Sequence, residues 1–479
     1  MSDSASAQAD LPRVGVFGCG LKALFDQFEG MKEETAEFVN RITEPLSDVA
    51  VAVNFGIVDN EAEAARTSDK LRQANIDLLL VIPGIYVTSS VVMPVIRRTD
   101  VPILVLNTQQ DNAVDCSAMN QTPYLNRVGV MIKNTGSVCS VPEICGLLKR
   151  TGKRVDVVTG RHQDPGFHDQ IRDRIAAVHV IRQLRGSRLG IFGSAYPGML
   201  DLNVDRTMLE ATLGIGFEDI ELDELEQEYR QLHDDQVRAT RDSFLPDYRL
   251  DESLDDDPDL TSAIKILASF ENVIARRRLN CFTLFWNAHT ELLEEIFGNS
   301  MPAVCTLTAR GVPSSGEGDI MTAIMVKMTQ LLTGNGSFCE YWNMDFDNDR
   351  ILVGHDGPAN YKMAADTPWL RKLELLHGKT GGGYGVEFRL RPGPVTITNL
   401  NVNPHGRLKM IVATAMAVEG ETYDVGNHNT WIELSDDIPA FFERWFQAGP
   451  GHHFAIACGD HTRRIGILAR MLDVECEMI

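Results

Sequence analysis

Four apolar runs near the start of the chain alternate with helical stretches. The runs are "RVGVFG" (13–18), "VAVNFG" (51–56), "IDLLLVIPG" (76–84) and "VPILVLN" (101–107); "EETAEFVNRITEPL" (33–46) and "EAEAARTSDKLRQA" (61–74) lie between them. Runs that are apolar throughout, not at every second residue, read as strands buried on both faces. Parallel strands need long crossovers, which the intervening helices supply. A doubly wound parallel sheet follows. The pattern resumes with "RVDVVTG" (154–160), a helix over about 166–185, and "SRLGIFG" (187–193). An acidic helical block, a helix over about 259–279 and the strand-like "CFTLFWN" (281–287) come next.

From about residue 317 the character changes. A helix, "DIMTAIMVKMTQLLTG" (319–334), precedes segments in which Arg, Glu and Thr alternate with apolar residues and Gly and Pro intervene, as in "GVEFRLRPGPVTITNLNV". That is the pattern of antiparallel strands with one solvated face. The last stretch returns to strand, helix, strand. At 479 residues the chain is too long for one core. The expected class is α/β: two doubly wound parallel-sheet domains plus a C-terminal antiparallel β-rich, barrel-like domain. The expected divisions are 1–185, 186–330 and 331–479.

Charge and cysteine usage narrow the function. Net charge is −22, so nucleic acid and anionic membrane surfaces are not expected partners. Much of the acidity lies in 217–258, read as a solvated helix face and a loop. The nine cysteines are scattered, with no Cys-x-x-Cys, which suits a reduced cytoplasmic protein. The polar start, "MSDSASAQADLPR", lacks the basic and apolar regions of a signal peptide, and no apolar run reaches membrane-helix length.

The glycine-rich loops do not make a nucleotide site. Gly18-x-Gly20 follows a strand, but Ala23 stands where a dinucleotide fingerprint needs its third glycine. No Gly-x4-Gly-Lys-Ser/Thr loop and no Gly-x-Ser-x-Gly elbow occurs. Carboxylates and histidines near the change of character carry more. "SSGEGDIMTAI" sets Glu317 between glycines at a helix start, where helix capping is the competing use and Asp319 competes as the cap. Glu340 lies among Phe338, Tyr341 and Trp342, His355 ends an apolar strand, and "AGPGHHF" offers His452 and His453. Adjacent residues of a strand point to opposite faces, so these two rings are expected to diverge. Two glutamates and two histidines form an O/N donor set suited to Mn²⁺, with Co²⁺ or Mg²⁺ as alternatives. Their irregular spacing matches no short zinc motif.

Six stretches in the same order resemble the L-arabinose isomerase family and, more broadly, its L-fucose isomerase relatives. They are "NQTPYLNRVG", "VVTGRHQDP", "GEGD", "SFCEYWNMDF", "LVGH" and "AGPGHHF". The resemblance implies that Glu317, Glu340, His355 and His453 are the metal ligands. It further implies that Glu317 and Glu340 are the acid/base pair of an aldose–ketose isomerisation through an ene-diol. Gln121, Tyr124, Tyr86, Phe285 and His452 fall at sugar-binding positions. The chain departs from the family in two places. Tyr124 replaces a sugar-contacting histidine, and Gly18-Cys19-Gly20 replaces a Gly-Ser-Gln motif. Such changes alter which sugar is accepted, because a binding hydroxyl left unpaired is costly. The absence of a basic cluster near the motifs favours an unphosphorylated free aldose, L-arabinose-like or a related hexose or deoxy sugar. The family also implies a homo-oligomer, trimer or hexamer. A metal-dependent aldolase or epimerase, and a non-catalytic sugar-binding protein, are the competing readings.

Overall fold

The early apolar runs are strands of one parallel sheet. A computed structural model of the chain describes residues 11–374 and 383–479. These divide into two units, Met1–Arg182 with Arg470–Asp473, and Gln183–Ala469 with Val474–Ile479.

In the first unit, β1 (Arg13–Cys19), β2 (Val51–Val58), β3 (Leu78–Pro83), β4 (Ile103–Asn107) and β5 (Val155–Thr159) pair in the order β2-β1-β3-β4-β5, all parallel. The chain winds outward from β1 in both directions, so both faces need helices. Helix α1 (Met31–Thr43) buries Phe38, Val39 and Ile42 against Val14, Val16, Leu78 and Leu80. Helix α2 (Glu61–Gln73) buries Ala64 and Leu71 on the opposite face, with Phe17, Leu79 and Val81. Asn60 starts α2 by accepting the Glu63 N–H at 3.0 Å. After Gly18-x-Gly20 there is only a one-turn helix, Lys22–Phe25. A Cβ at Gly20 would lie 2.5 Å from the Phe25 ring, so tight packing explains this glycine.

The second unit begins with a smaller parallel sheet. Its strands are β6 (Arg188–Gly193), β7 (Gly216–Ile220), β8 (Cys281–Phe285) and β9 (Ser314–Ser315), in the order β7-β6-β8-β9. Helix α3 (Pro258–Arg277) and helix α4 (Ile320–Thr333) match the two long helices expected here. The acidic block is not merely solvated. It contains β7, and its Glu224 is held by Arg276 and Arg277 of α3, each at 2.7 Å.

The remaining strands are β10 (Ser337–Asp345), β11 (Arg350–Gly354), β12 (Trp369–Lys372), β13 (Tyr384–Glu387), β14 (Gly393–Val402), β15 (Leu408–Val418), β16 (Asn429–Leu434), β17 (His453–Cys458) and β18 (Glu475–Met478). Six of them form the ring β14-β17-β10-β11-β16-β15, which the antiparallel β14–β15 pairing closes. A closed barrel leaves no edge among these six. β18 departs from the antiparallel pattern and adds to β15 in parallel. β12 and β13 make a separate antiparallel pair. Helix α5 (Ile438–Gln447) leads into β17 and buries Phe441, Phe442 and Trp445. Among the described residues, no helix is long and apolar enough to cross a membrane.

Candidate metal centre

Glu317 lies at the C-terminal end of the small parallel sheet, between β9 and α4. Open α/β sheets characteristically bind ligands outside their carboxyl ends. Its backbone is left-handed, at φ 58°, unusual for a residue with a Cβ. The Tyr196 N–H donates to its carbonyl at 2.8 Å, and the next N–H, of Gly318, donates to Leu284 at 3.3 Å. Gly318 is obligatory: at φ 75°, a Cβ would lie 2.2 Å from the Ser194 carbonyl oxygen. Conformations of this kind cost about 1–3 kcal/mol and persist where the surroundings enforce them, often at functional sites.

Asp319, not Glu317, caps α4. Its Oδ1 accepts the Thr322 N–H at 2.9 Å and its Oδ2 accepts the Thr322 hydroxyl at 2.6 Å. The carboxylate of Glu317 is thereby left for the site.

The barrel presents the other three candidates through strand register. Glu340 on β10 pairs with His453 on β17 on one side and with Gly354 on β11 on the other, one residue before His355. Residues separated by tens of positions thus become neighbours. The Phe338 ring lies 4.5 Å, centroid to centroid, from both His355 and His453. His355 and His453 are buried, at 3 % and 1 % exposure.

Two overlapping trios could each hold a metal ion: Glu317, His355 and His453, and Glu340, His452 and His453. In each, one ligand atom per residue lies within 4.8 Å of the others. His453 is common to both. Glu317 Oε2 and His453 Nε2 are 3.3 Å apart, yet neither has a hydrogen-bond partner among the described residues. Buried polar atoms without partners are rare. Two of them, both able to offer lone pairs to the same space, fit a cation.

His453 Nδ1 lies 2.9 Å from Asp319 Oδ2. A histidine whose other nitrogen donates to a carboxylate is the usual arrangement of a metal-binding imidazole. His355 Nδ1 accepts the Gly357 N–H at 2.7 Å, Asp356 Oδ1 is 3.3 Å from the same nitrogen, and His355 Nε2 is 4.0 Å from Glu340 Oε1. Trp342 Nε1–H donates to Glu340 Oε1 at 2.9 Å.

The electrostatics are those of a carboxylate-rich cleft. Burial favours the neutral ring of His453, but Asp319 and Glu317 outweigh it and hold its pKa up to about 9. Burial would raise the Glu317 pKa, yet the surrounding rings of His452, His453 and His355 hold this carboxyl well below the usual carboxylate range. Carboxylates that stabilise a proton on an imidazole can stabilise a cation in its place.

The two adjacent histidines do not diverge as expected. β17 begins at His453, so His452 lies outside the alternating strand, and the two rings stand 3.8 Å apart. His452 Nδ1 is 2.5 Å from Asp201 Oδ2, and its Nε2 is 3.6 Å from Glu317 Oε2. Phe285 ends β8, buried, with its ring tilted against that of Tyr196 at 4.6 Å between centroids, and lines a pocket with Glu317 and His355. Tyr86, Gln121 and Tyr124 belong to the first unit, where Gln121 and Tyr124 are exposed and Tyr86 is half-buried. Asp201, Phe338, Asp356 and the pairing of Asp319 with His453 were not singled out from the sequence. Asp201 sits in a short 3₁₀ turn, Leu200–Leu202, after β6, and no local pattern distinguishes it from other acidic residues.

Comparison with known proteins covers this same unit. Residues 202–335 match the L-arabinose isomerase central domain, and residues 335–475 match the L-arabinose isomerase C-terminal domain. A sulfoquinovose isomerase of Priestia aryabhattai is 22% identical over 67% of this chain and 71% of its own length. An L-arabinose isomerase 2 of Clostridium acetobutylicum is 23% identical over 69% of this chain and 70% of its own. An L-arabinose isomerase of Geobacillus thermodenitrificans is 24% identical over 69% and 68%. These matches define an enzyme of the aldose–ketose isomerase class. The chain belongs to the arabinose isomerase-like family.

Proposed function

We propose that this chain interconverts a free aldose and its ketose with a divalent cation, Mn²⁺ in the first place and Co²⁺ or Mg²⁺ as alternatives, held by Glu317, Glu340, His355 and His453. The observation that carries this reading is the convergence of Glu317 Oε2 and His453 Nε2, buried and unpartnered among the described residues, with His355 and Glu340 beside them. When bound, such a cation polarises the substrate carbonyl and offsets the negative charge that develops on its oxygen.

The reaction moves a proton from C2 of the open-chain aldose to C1 and a hydroxyl proton from O2 to O1. Glu317 and Glu340 divide these two transfers. One carboxylate takes the C2 proton and returns it to C1, and the other carries the hydroxyl proton. Glu317 is ionised at neutral pH, the form in which a carboxylate binds a cation or accepts a proton. Glu340 is oriented by the Trp342 N–H. Asp319 holds the His453 ring in place, and Phe338, filling the gap between His355 and His453, keeps water from the buried side. The reading includes a cytoplasmic homo-oligomer, trimer or hexamer, and the three-domain division at 185 and 330, both drawn from the sequence.

The test is ketose formation from free aldoses by Mn²⁺-loaded protein. Glu317→Gln is expected to lower turnover by about 10²–10⁴-fold while the protein still folds. Near-normal isomerisation by that variant would refute the assigned role.

A further inference from the structure

Access to the candidate metal centre is graded. Side-chain exposure falls from 35 % at His452 and 25 % at Glu340, through 17 % at Glu317, to 4 % at His355 and 0 % at His453. His452 and Glu340 line a cleft of about 460 Å³, together with Asp201, Asn343 and aromatic rings that include Trp342 and Trp445. Glu317 and His355 line a pocket of about 40 Å³, walled by Phe285 and Phe297. A six-coordinate hydrated cation needs about 180 Å³, counting about 30 Å³ for each water. Of the two, only the cleft admits it.

From this we infer that His452 and Glu340, with Asp201 behind the histidine, form a loading station for the cation. They take it from water and pass it to Glu317 and His355, with His453 shared. The inference rests on the metal-dependent reading above and gives His452 and Asp201 a kinetic role, distinct from resident ligation.

His452 is prepared to bind. Asp201 Oδ2 lies 2.5 Å from its Nδ1 and accepts its backbone N–H at 3.3 Å. A neutral ring that donates from Nδ1 keeps the lone pair of Nε2. Asp319 stands in the same relation to His453, at 2.9 Å. The two Nε2 atoms lie 3.6 and 3.3 Å from one oxygen, Glu317 Oε2.

The transfer needs no return to water. Glu340, His452 and His453 form one trio, and Glu317, His355 and His453 the other, so His453 stays a ligand throughout. Exchanging one bond at a time avoids leaving a bare cation among buried groups. The field also favours entry. Asp201 and Glu340 line the cleft, and among the described residues no lysine or arginine does. A cleft lined by one sign of charge concentrates counter-ions and raises their on-rate.

The experiment mixes metal-free full-length protein with Mn²⁺ alone in a stopped-flow instrument. Tryptophan fluorescence reports uptake, because Trp342 stands beside Glu340 and a paramagnetic ion quenches it. Titration calorimetry gives the dissociation constant. His452→Ala is expected to slow uptake at least about 10-fold. Release should slow in proportion, since one path serves both directions, and the dissociation constant should stay within about threefold of the parent's. Asp201→Asn sets an amide donor against Nδ1 and moves the ring proton to Nε2, so it should slow uptake in the same way. Parent-like uptake in either variant overturns the inference and leaves the metal-dependent reading standing. So does a loss of equilibrium affinity in His452→Ala as large as that in His453→Ala, which would make His452 a resident ligand. A parent protein that binds no Mn²⁺ overturns both.

Discussion

Replacing Asp319 by asparagine separates the two jobs this residue performs. Asp319 is 4 % exposed. Its Oδ1 caps α4 through the Thr322 N–H, and its Oδ2 faces both the Thr322 hydroxyl and His453 Nδ1. Alanine would remove both. The lost cap costs about 1 kcal/mol, and the lost charged hydrogen bond leaves a buried imidazole nitrogen unpaired. Together these come to about 3–5 kcal/mol, a large share of the stability of an ordinary domain. Asparagine keeps an oxygen for the cap and places an NH₂ group against His453 Nδ1. A neutral imidazole has one donor and one acceptor nitrogen. An amide donating to Nδ1 puts the ring's proton on Nε2, the atom that faces Glu317. The lone pair needed for metal binding is then gone. Asp319→Asn is therefore expected to cost only about 1–2 kcal/mol in urea unfolding of the metal-free protein. Its Mn²⁺ affinity should fall at least 10–100-fold, the usual effect of losing a carboxylate behind a ligating histidine. Titration calorimetry with Mn²⁺ and urea melts read the two quantities separately. If the variant bound Mn²⁺ within about threefold of the parent, the tautomer argument would be refuted.

Two further perturbations test other parts of the structure. His453→Ala should weaken Mn²⁺ binding far more than His452→Ala, because only His453 belongs to both ligand trios; equal metal retention in the two variants, measured by elemental analysis after dialysis, would contradict this. His428 is buried, stacked on Phe388 with ring centroids 5.3 Å apart, and burial lowers its pKa to about 4. The neutral ring is thus the folded form, and the unfolded chain takes up the proton first as pH falls below about 6.5. Stability from this group is complete above pH 6.5 and is lost between there and pH 4, by about 3 kcal/mol. His428→Gln should flatten that part of the stability–pH curve in urea unfolding, and an unchanged slope would exclude the assignment.

The parallel sheets were legible because their signal is local. "DLLLVIP" is apolar at nearly every position, as a strand covered on both faces must be, and Leu78–Pro83 is indeed fully buried. The barrel was legible as alternation, but its closure was not. β14 and β15 are a local hairpin, with Val402 opposite Leu408, but nothing local links β17 to β10 and β14, or β11 to β16, and the ring forms only through those pairings. The site divides along the same line. Glu340, His355 and His453 have irregular spacing because register across β10, β11 and β17, not proximity in sequence, brings them together. No periodicity could have grouped them; ordered resemblance to a family did. The expectation that adjacent histidines diverge failed for a physical reason, since alternation holds only within a strand and β17 starts at His453.

Asp319 shows why a correct local reading can still be incomplete. Its position before an apolar helix marked it as a cap, and it is one. The same carboxylate also crosses to the barrel and fixes His453, a contact 134 residues away in sequence. That single side chain ties the start of α4, on the parallel-sheet side, to the first residue of β17, on the barrel side. Glu317 is held two residues earlier by the same turn, whose left-handed backbone is enforced by Leu284 of β8 and by Ser194 and Tyr196 of the loop after β6. The carboxylate and the imidazole that converge on one space therefore come from two different layers, and one cap sets the distance between them. A cluster built this way exists only when helix, sheet and barrel are all in place. This couples the candidate metal centre to the folding of the whole second unit and not to any one of its elements.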